Sequence, residues 1–405
     1  MSAAPLIFLV AAEASADGLG ARLMRSLKEE TRGRVRFAGI GGPAMAAEGL
    51  DSLVPFGELN IMGIVEIVPH AARVLRRVRE TIAAIRRMGP AAVVTIDAPA
   101  FSFRIQRKLK GGPSLLVHYV APTVWAWRPR RAKMIAAFLD HLLCILPFEL
   151  PYFEKVGLPA SFVGHSVVEQ DDVTPDGDGF RRRHAIGDAP LLCVLPGSRK
   201  GEVRRLLPVF GETVARLVAE RPSLRLVVPT ASSVVGEVRE AVARWPGTPI
   251  LVESIEEKHH AFAASTVALA ASGTVNLELA VAGVPFAIAY KVSGLSYLVG
   301  RIMVKVPSIV MTNILLQRKV IAEFLQDRCR PDLIAAEIGR LLDDPIARQE
   351  QKNAGAEAAV LLGRGGPPPS QRAARVLLQL IEHRDPKKSP AGVSSGGADE
   401  RVTGS

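Results

Sequence analysis

The sequence predicts an α/β chain of two doubly wound, parallel-sheet halves that face a central cleft. Three observations carry this expectation. Short apolar runs rich in β-branched residues alternate with longer helix-like stretches. The runs are apolar throughout, as in AAVVTI at 91–96 and HLLCIL at 141–146, which suits parallel strands covered by helices on both faces. The alternation breaks once, at the acidic, turn-rich DDVTPDGDG of 171–179, and then starts again.

In order, the first half offers strands at 6–12, 34–40, 91–96, 114–120, 141–146 and 160–163. The second offers LLCVLP at 191–196, LRLVVP at 224–229, PILV at 249–252, VALAA at 267–271 and PFAIAY at 285–290. Helical patterns from about 331 to 383 close the chain. This organisation gives one domain over 1–170, a second over 171–383, and a tail over 384–405 that lacks apolar periodicity and reads as disordered. Doubly wound sheets bind ligands at the carboxyl ends of their strands, so chemistry is sought there.

Composition narrows the class. With 405 residues, 48% of them hydrophobic and 22% charged, the chain has ample material for large cores and is neither disordered nor collagen-like. No apolar run approaches the roughly 20 residues that cross a bilayer. The apolar stretch Leu6 to Ala12 lacks a preceding cation and is followed at once by Glu13, unlike a secretory signal, so the cytoplasm is expected. Cys144, Cys193 and Cys329 stand far apart and suit core packing rather than disulfides or zinc. The net charge of +11 favours phosphate-bearing partners. Ten Lys and Arg between Arg73 and Lys110 face only Glu80 and Asp97, so that stretch is a cationic surface.

Several strand ends carry groups suited to chemistry. Glu13, Ser15 and Asp17 follow the first strand, where capping also accounts for Ser15 or Asp17. GIGGP at 39–43 lets backbone approach a phosphate. Asp97 directly follows AAVVTI, a position for a catalytic base or, again, a cap. HYVAPTVWAWRPRRAKM at 118–134 gathers Trp125, Trp127 and Arg128 as a substrate wall or as core aromatics. In the second half, Gly197, Ser198 and Arg199 open a helix whose N–H groups and guanidinium suit a phosphate. Ser272, Gly273 and Thr274 do the same after a later strand, and Glu278 one turn on suits ribose hydroxyls. The two turns together favour a nucleotide diphosphate. No Walker loop and no metal-ligand cluster occurs, so no cofactor and no metal are expected.

The chain resembles the lipid-A-disaccharide synthases over roughly residues 5–380. The resemblance rests on EASAD at 13–17, GIGGPAM at 39–45, NIMGIVEIVP at 60–69, IDAPAFSFR at 96–104, HYVAPTVWAWRPRR at 118–131, LPFELPYFEKVGLPASFVGH at 146–165, LPGSRKGEV at 195–203, ASGTVNLELA at 271–280 and TNILLQ at 312–317. Ala12 and Ala16 replace both glycines of the family's usual GEASGD, and Ala100, Ser102 and Thr312 also depart from its pattern.

The resemblance implies a GT-B-like fold of two Rossmann-like domains. It implies transfer of 2,3-diacylglucosamine from UDP to the 6-hydroxyl of 2,3-diacylglucosamine 1-phosphate (lipid X), inverting and independent of metal. Asp97 is then the base, Glu13, Ser15 and Asp17 position sugars or base, and Asn313, Glu323 and Gln326 join Arg199, Ser272 and Glu278 at the UDP-sugar. Ile61, Met62, Ile64, Val65 and Val68 become an interfacial patch beside arginines that meet anionic headgroups on the cytoplasmic face of the inner membrane. Nucleic acid is not an expected partner, and a homodimer that exchanges its C-terminal part is. Two rival readings remain at this stage: another nucleotide-sugar enzyme of the same fold, such as a peptidoglycan glycosyltransferase or an epimerase, and a non-catalytic module binding RNA or anionic membrane.

Overall fold

The computed structural model describes residues 4–56, 64–127, 130–169, 174–292 and 308–384. Twelve strands form two parallel six-stranded sheets. In the first, β1 (Leu6–Ala11), β2 (Arg36–Ile40), β3 (Ala92–Ile96), β4 (Leu115–Tyr119), β5 (His141–Cys144) and β6 (Ala160–Phe162) lie in the order β2-β1-β3-β4-β5-β6. In the second, β7 (Leu191–Leu195), β8 (Arg225–Pro229), β9 (Ile250–Val252), β10 (Val267–Ala270), β11 (Phe286–Tyr290) and β12 (Ala322–Leu325) lie in the order β12-β11-β10-β7-β8-β9. Two parallel six-stranded sheets with covering helices are the GT-B-like arrangement expected. Every strand read from the sequence is present. The twelfth, AEFL, is short and carries Glu323 at its second position, so composition alone does not mark it as a strand.

By internal packing the chain divides into two compact units, one within Met1–Tyr119, Phe138–His141 and Ala373–Ser405, the other within Val120–Ala137 and Leu142–Arg372. In the first unit, β1 pairs with β3 from Ile7↔Ala92 to Ala11↔Ile96, and the core around them holds Phe8, Val10, Val93, Ile82, Ile105 and Leu116. Gly39 of β2 has φ +143°, and a Cβ there would meet the Leu9 carbonyl oxygen at 1.8 Å, so only glycine lets β2 lie against β1. The helix Pro369–Arg384 ends in this unit, where Arg375 pairs with Glu30 and Arg384 with Asp140. Arg384, expected to begin a disordered tail, is therefore helical, because Asp140 gives its guanidinium a partner; residues 385–405 lie outside the described residues.

In the second unit, Leu192, Val194, Leu226, Val228 and Leu269 form the centre of one core and Cys193, Ala268 and Ile288 of another, on the two faces of the sheet. Leu146 and Val168 pack with Leu277, Leu315, Ala358 and Leu362, which groups residues 142–169 with this unit although β6 belongs to the first sheet. All three cysteines are buried, and burial pushes their thiols upward, which leaves them inert packing residues.

One buried acid has a consequence for stability. Glu149 is 1% exposed and accepts from the Leu146 N–H at 3.1 Å and the Trp125 indole N–H at 3.4 Å. Burial outweighs these bonds and pushes its carboxyl up to about 7. Between the ordinary carboxylate range and about 7 the folded protein holds a proton that the unfolded chain has released, so stability falls as pH rises through that window. Relative to Glu149→Gln, the protein should lose about 2–3 kcal/mol between about pH 5 and about pH 8. Urea denaturation of both proteins at the two pH values checks this, and parallel profiles would rule it out.

Candidate active site

Each sheet has one place where its winding reverses. In the first unit the chain passes from β1 outward to β2, then crosses back to β3 on the other side of β1. The turns leaving β1 and β3 therefore diverge and leave an opening at the strand carboxyl ends, the usual ligand position of a doubly wound sheet. Those two turns carry Glu13, Ser15 and Asp17 on one side and Asp97 on the other. In the second unit the reversal lies between β7 and β10, which pair from Val267↔Leu192 to Ala270↔Leu195. The turns leaving them carry Gly197, Ser198 and Arg199, and Ser272, Gly273 and Thr274. The residues picked out by their chemistry thus flank the reversal in each sheet.

Asp97 sits on unusual backbone. It has φ 50° and Ala98 has φ 44°, two successive non-glycine residues in the left-handed region, at a cost of about 1–3 kcal/mol each. The turn is held by the Asp97 N–H donating to the Tyr119 carbonyl at 2.9 Å and by the Ser102 hydroxyl donating to the Asp97 carbonyl at 2.7 Å. The side chain is half-buried, and burial raises its carboxyl above the ordinary range against a smaller opposing bond from the Ala98 N–H. A carboxylate so placed is a stronger proton acceptor than one in water. Ser102, one of the departures from the family pattern, is thus the residue that pins the Asp97 turn.

The other residues of the first unit differ in burial. Glu13 is half-buried at the start of the helix Ala14–Thr31, and Ser15 is exposed on its first turn. Asp17 is turned toward the neighbouring GIGGP turn. It is 4% exposed, and its carboxylate accepts from the N–H groups of Gly42 at 2.7 Å, Ala44 at 2.9 Å and Met45 at 3.0 Å, so it caps the short helix Pro43–Ala47. The GIGGP turn is held by this carboxylate, and a Cβ on Gly42 would lie 2.6 Å from it. Ala12 and Ala16 are buried with negative φ, so neither substitution for glycine strains the backbone.

In the second unit, the sequence reading missed Glu202. Its carboxylate reaches back to the Ser198 N–H at 3.3 Å and to the Arg199 N–H, so N–H groups expected to hold a phosphate are met by the chain's own anion. Burial raises that carboxyl, and Gly197 at φ 108° takes a backbone conformation that favours glycine. The signal was present: Glu202 stands three residues after Arg199, the helix N-cap, at capping-box spacing. The exposed Arg199 side chain is left as the turn's cationic group. Ser272 is half-buried, and Gly273 and Thr274 are exposed. Glu278 is held by Lys258 at 2.6 Å.

Asn313, Glu323 and Gln326 are engaged with the chain itself. Asn313 donates to the Ile321 carbonyl at 2.9 Å and to Glu323, and accepts from Val320 and Ile321 N–H groups. Glu323, on edge strand β12, also accepts from Ser308 and from the Ile309 N–H at 3.0 Å. Gln326, at φ 50°, accepts from the Val292 N–H at 2.8 Å. These contacts make the three residues a brace around β12, two strands from the β10 turn.

Trp125 is half-buried, edge-on to Phe148, with its indole N–H on Glu149. The Trp127 side chain and Arg128 lie outside the described residues, as do Ile61 and Met62; Ile64, Val65 and Val68 fall in the helix Ile64–Met88, and their side chains also lie outside the described residues. Among the described residues no group of three or more His, Cys, Asp or Glu could hold a metal ion, and no helix is long and apolar enough to cross a membrane.

Comparison with known proteins bears on these arrangements. A family model described as Lipid-A-disaccharide synthetase matches residues 7–364. The chain is 51% identical over 382 residues to the lipid-A-disaccharide synthase of Rhodospirillum centenum, covering 94% of this chain and 95% of that one. It is 48% identical over 381 residues to that of Paramagnetospirillum magneticum, covering 93% and 97%. Among solved structures, a UDP-GlcNAc 2-epimerase from Neisseria meningitidis bound to UDP-GlcNAc superposes with a TM-score of 0.63 at 10% identity, over 93% of this chain and 99% of that one. The calicheamicin glycosyltransferase gives 0.56 at 16% identity, over 94% and 99%. These two likenesses are of fold alone, and an epimerase and a glycosyltransferase share it. What separates the chain from that wider group is the near-full-length identity, and by it the chain belongs to the lipid-A-disaccharide synthase family of glycosyltransferases.

Proposed function

We propose that this protein condenses UDP-2,3-diacylglucosamine with 2,3-diacylglucosamine 1-phosphate to give the β-1,6-linked disaccharide 1-phosphate and UDP. The observation that carries the reading is Asp97, a half-buried carboxylate of raised proton affinity on a strained turn at the winding reversal of the first sheet. The acceptor's 6-hydroxyl oxygen attacks the anomeric carbon of the donor while Asp97 takes the hydroxyl proton. The bond from the anomeric carbon to the diphosphate breaks, and its electron pair leaves with UDP. One displacement inverts the centre and needs neither a glycosyl-enzyme nor a metal.

In this reading residues 1–170 serve the acceptor and residues 171–383 the donor. Arg199 and the hydroxyls of Ser272 and Thr274 meet the diphosphate, where a guanidinium stabilises the charge that develops on the leaving group. Glu13 and Ser15 hold sugar hydroxyls, and Trp125 offers an apolar wall. Asp17, Asn313, Glu323 and Gln326 position these groups through the backbone they bind. The protein lies on the cytoplasmic face of the inner membrane, and its C-terminal part is exchanged in a homodimer; both statements rest on the family.

The reaction is tested by UDP release from UDP-2,3-diacylglucosamine in detergent, with and without the acceptor, with mass spectrometry of the lipid product. Acceptor-dependent release with a tetra-acyl disaccharide 1-phosphate is expected. Silence with both substrates from folded, UDP-binding protein would overturn the assignment. Asp97→Asn should lower turnover by about 10² or more with UDP affinity nearly unchanged, read from kcat and from calorimetric UDP binding. An equal loss of UDP affinity would give Asp97 a structural role instead. Asp17→Ala leaves three N–H groups without their acceptor and should cost about 3 kcal/mol in urea unfolding; an unchanged midpoint would contradict the capping role.

A further inference from the structure

His165 follows β6 in the chain but packs with the second unit. Its backbone N–H donates to the Leu362 carbonyl at 3.0 Å, and its side chain caps the single turn Ser166–Val168, with Nδ1 accepting from the Val167 N–H at 3.1 Å. Burial pushes the ring down to about 4, against a smaller opposing pull from the Glu278 carboxylate, so at neutral pH it is uncharged. A neutral ring that accepts at Nδ1 carries its proton on Nε2. Among the described residues that Nε2–H has no hydrogen-bond partner. Glu278 lies on the helix Val275–Val281, where Leu277 beside it packs against Val167 and Val168. Lys258 holds Glu278 Oε2 at 2.6 Å, and among the described residues Oε1 makes no hydrogen bond. Glu278 stands one turn of helix, about 6 Å, beyond Thr274.

We propose that His165 is a specificity-determining residue for the nucleotide: its Nε2–H donates to a ribose hydroxyl whose own proton goes to Glu278, so that the site takes a ribonucleotide and rejects the deoxy analogue. The proposal rests on the reading of the second unit as the donor's. A hydroxyl both donates and accepts, so a carboxylate alone meets half of its capacity, and a neutral N–H meets the other half. A phosphate is disfavoured at this place, because Glu278 repels it and the uncharged ring offers no compensating charge. A diphosphate held by Arg199 and the turn 272–274 leaves its ribose hydroxyls about one helical turn away, where Glu278 stands. A site built to hydrogen-bond a hydroxyl rejects the analogue that lacks it, since the protein's donor and acceptor are then both left unmet.

Calorimetric titration of the full-length protein with UDP, 2′-deoxy-UDP and 3′-deoxy-UDP tests this. The wild type should bind UDP about tenfold more tightly than one of the two analogues. His165→Ala should weaken UDP about fivefold and leave that analogue unchanged, a pattern that a merely structural role does not produce. His165→Gln, whose amide N–H reaches the place of Nε2–H, should recover most of the affinity, with the melting of both variants as in the wild type. Equal weakening of UDP and both analogues by His165→Ala would make the residue structural and overturn the proposal. Wild-type protein that binds all three ligands alike would overturn it as well, while leaving the donor reading of the second unit intact. A rise in KM for UDP-2,3-diacylglucosamine with UDP binding unaffected would place the hydroxyl on the hexose instead of the ribose, against the proposal. Wild-type protein that binds none of the three would overturn the donor reading itself, and the proposal with it.

Discussion

The reversal of winding in each parallel sheet is the constraint on which the rest of the arrangement depends. Parallel strands connected by right-handed crossovers must be covered by helices on both faces, which is achieved by winding outward in one direction and then in the other. Where the direction changes, at β1 and β3 and again at β7 and β10, two successive turns leave the sheet on opposite sides and the strand ends stay uncovered. No side chain creates these openings. The residues that border them are those that follow β1, β3, β7 and β10, and these include carboxylates, hydroxyls and a guanidinium.

A second device recurs: a buried or half-buried carboxylate that accepts backbone N–H groups of a turn beside it. Asp17 takes three from the turn after β2, Glu202 two from the turn after β7, Glu149 bonds the Leu146 N–H and Trp125, and Glu323 the Ile309 N–H. Unmet N–H groups in such positions are costly, and a fixed internal anion both satisfies and orients them. The consequence is that several acids beside strand-end turns are already bonded to the chain's own backbone. Asp97 is the contrast, because the backbone bond that opposes its raised carboxyl comes from its own neighbour Ala98 and not from a turn across from it.

Part of the backbone strain lies at strand ends as well. Besides Asp97 and Ala98 at the end of β3, Val120 at the end of β4 has φ 78° and Gln326 at the end of β12 has φ 50°. A β-branched residue at positive φ persists only where surrounding bonds fix it, and the Val120 N–H donates to the Leu143 carbonyl at 3.1 Å. Strained turns at strand ends hold side chains in directions that relaxed loops would not sample.

The sequence by itself determined the fold class and eleven of the twelve strands, because continuous apolar runs bounded by turn residues are local signals that tertiary contacts reinforce. It left β12 unmarked, since four residues with Glu323 among them look no different from a helical turn until β11 supplies the pairing partner. Among the site residues it drew together Asp97, Arg199 and the Ser272 turn, yet it gave Asp17, Asn313 and Glu323 the same standing. Only the tertiary structure separated them, because whether a carboxylate or amide faces a ligand or a backbone N–H depends on which turn lies across from it: Gly42 is 25 residues from Asp17. Residue type and spacing can specify what chemistry a turn is capable of, and packing decides which of those groups is already occupied.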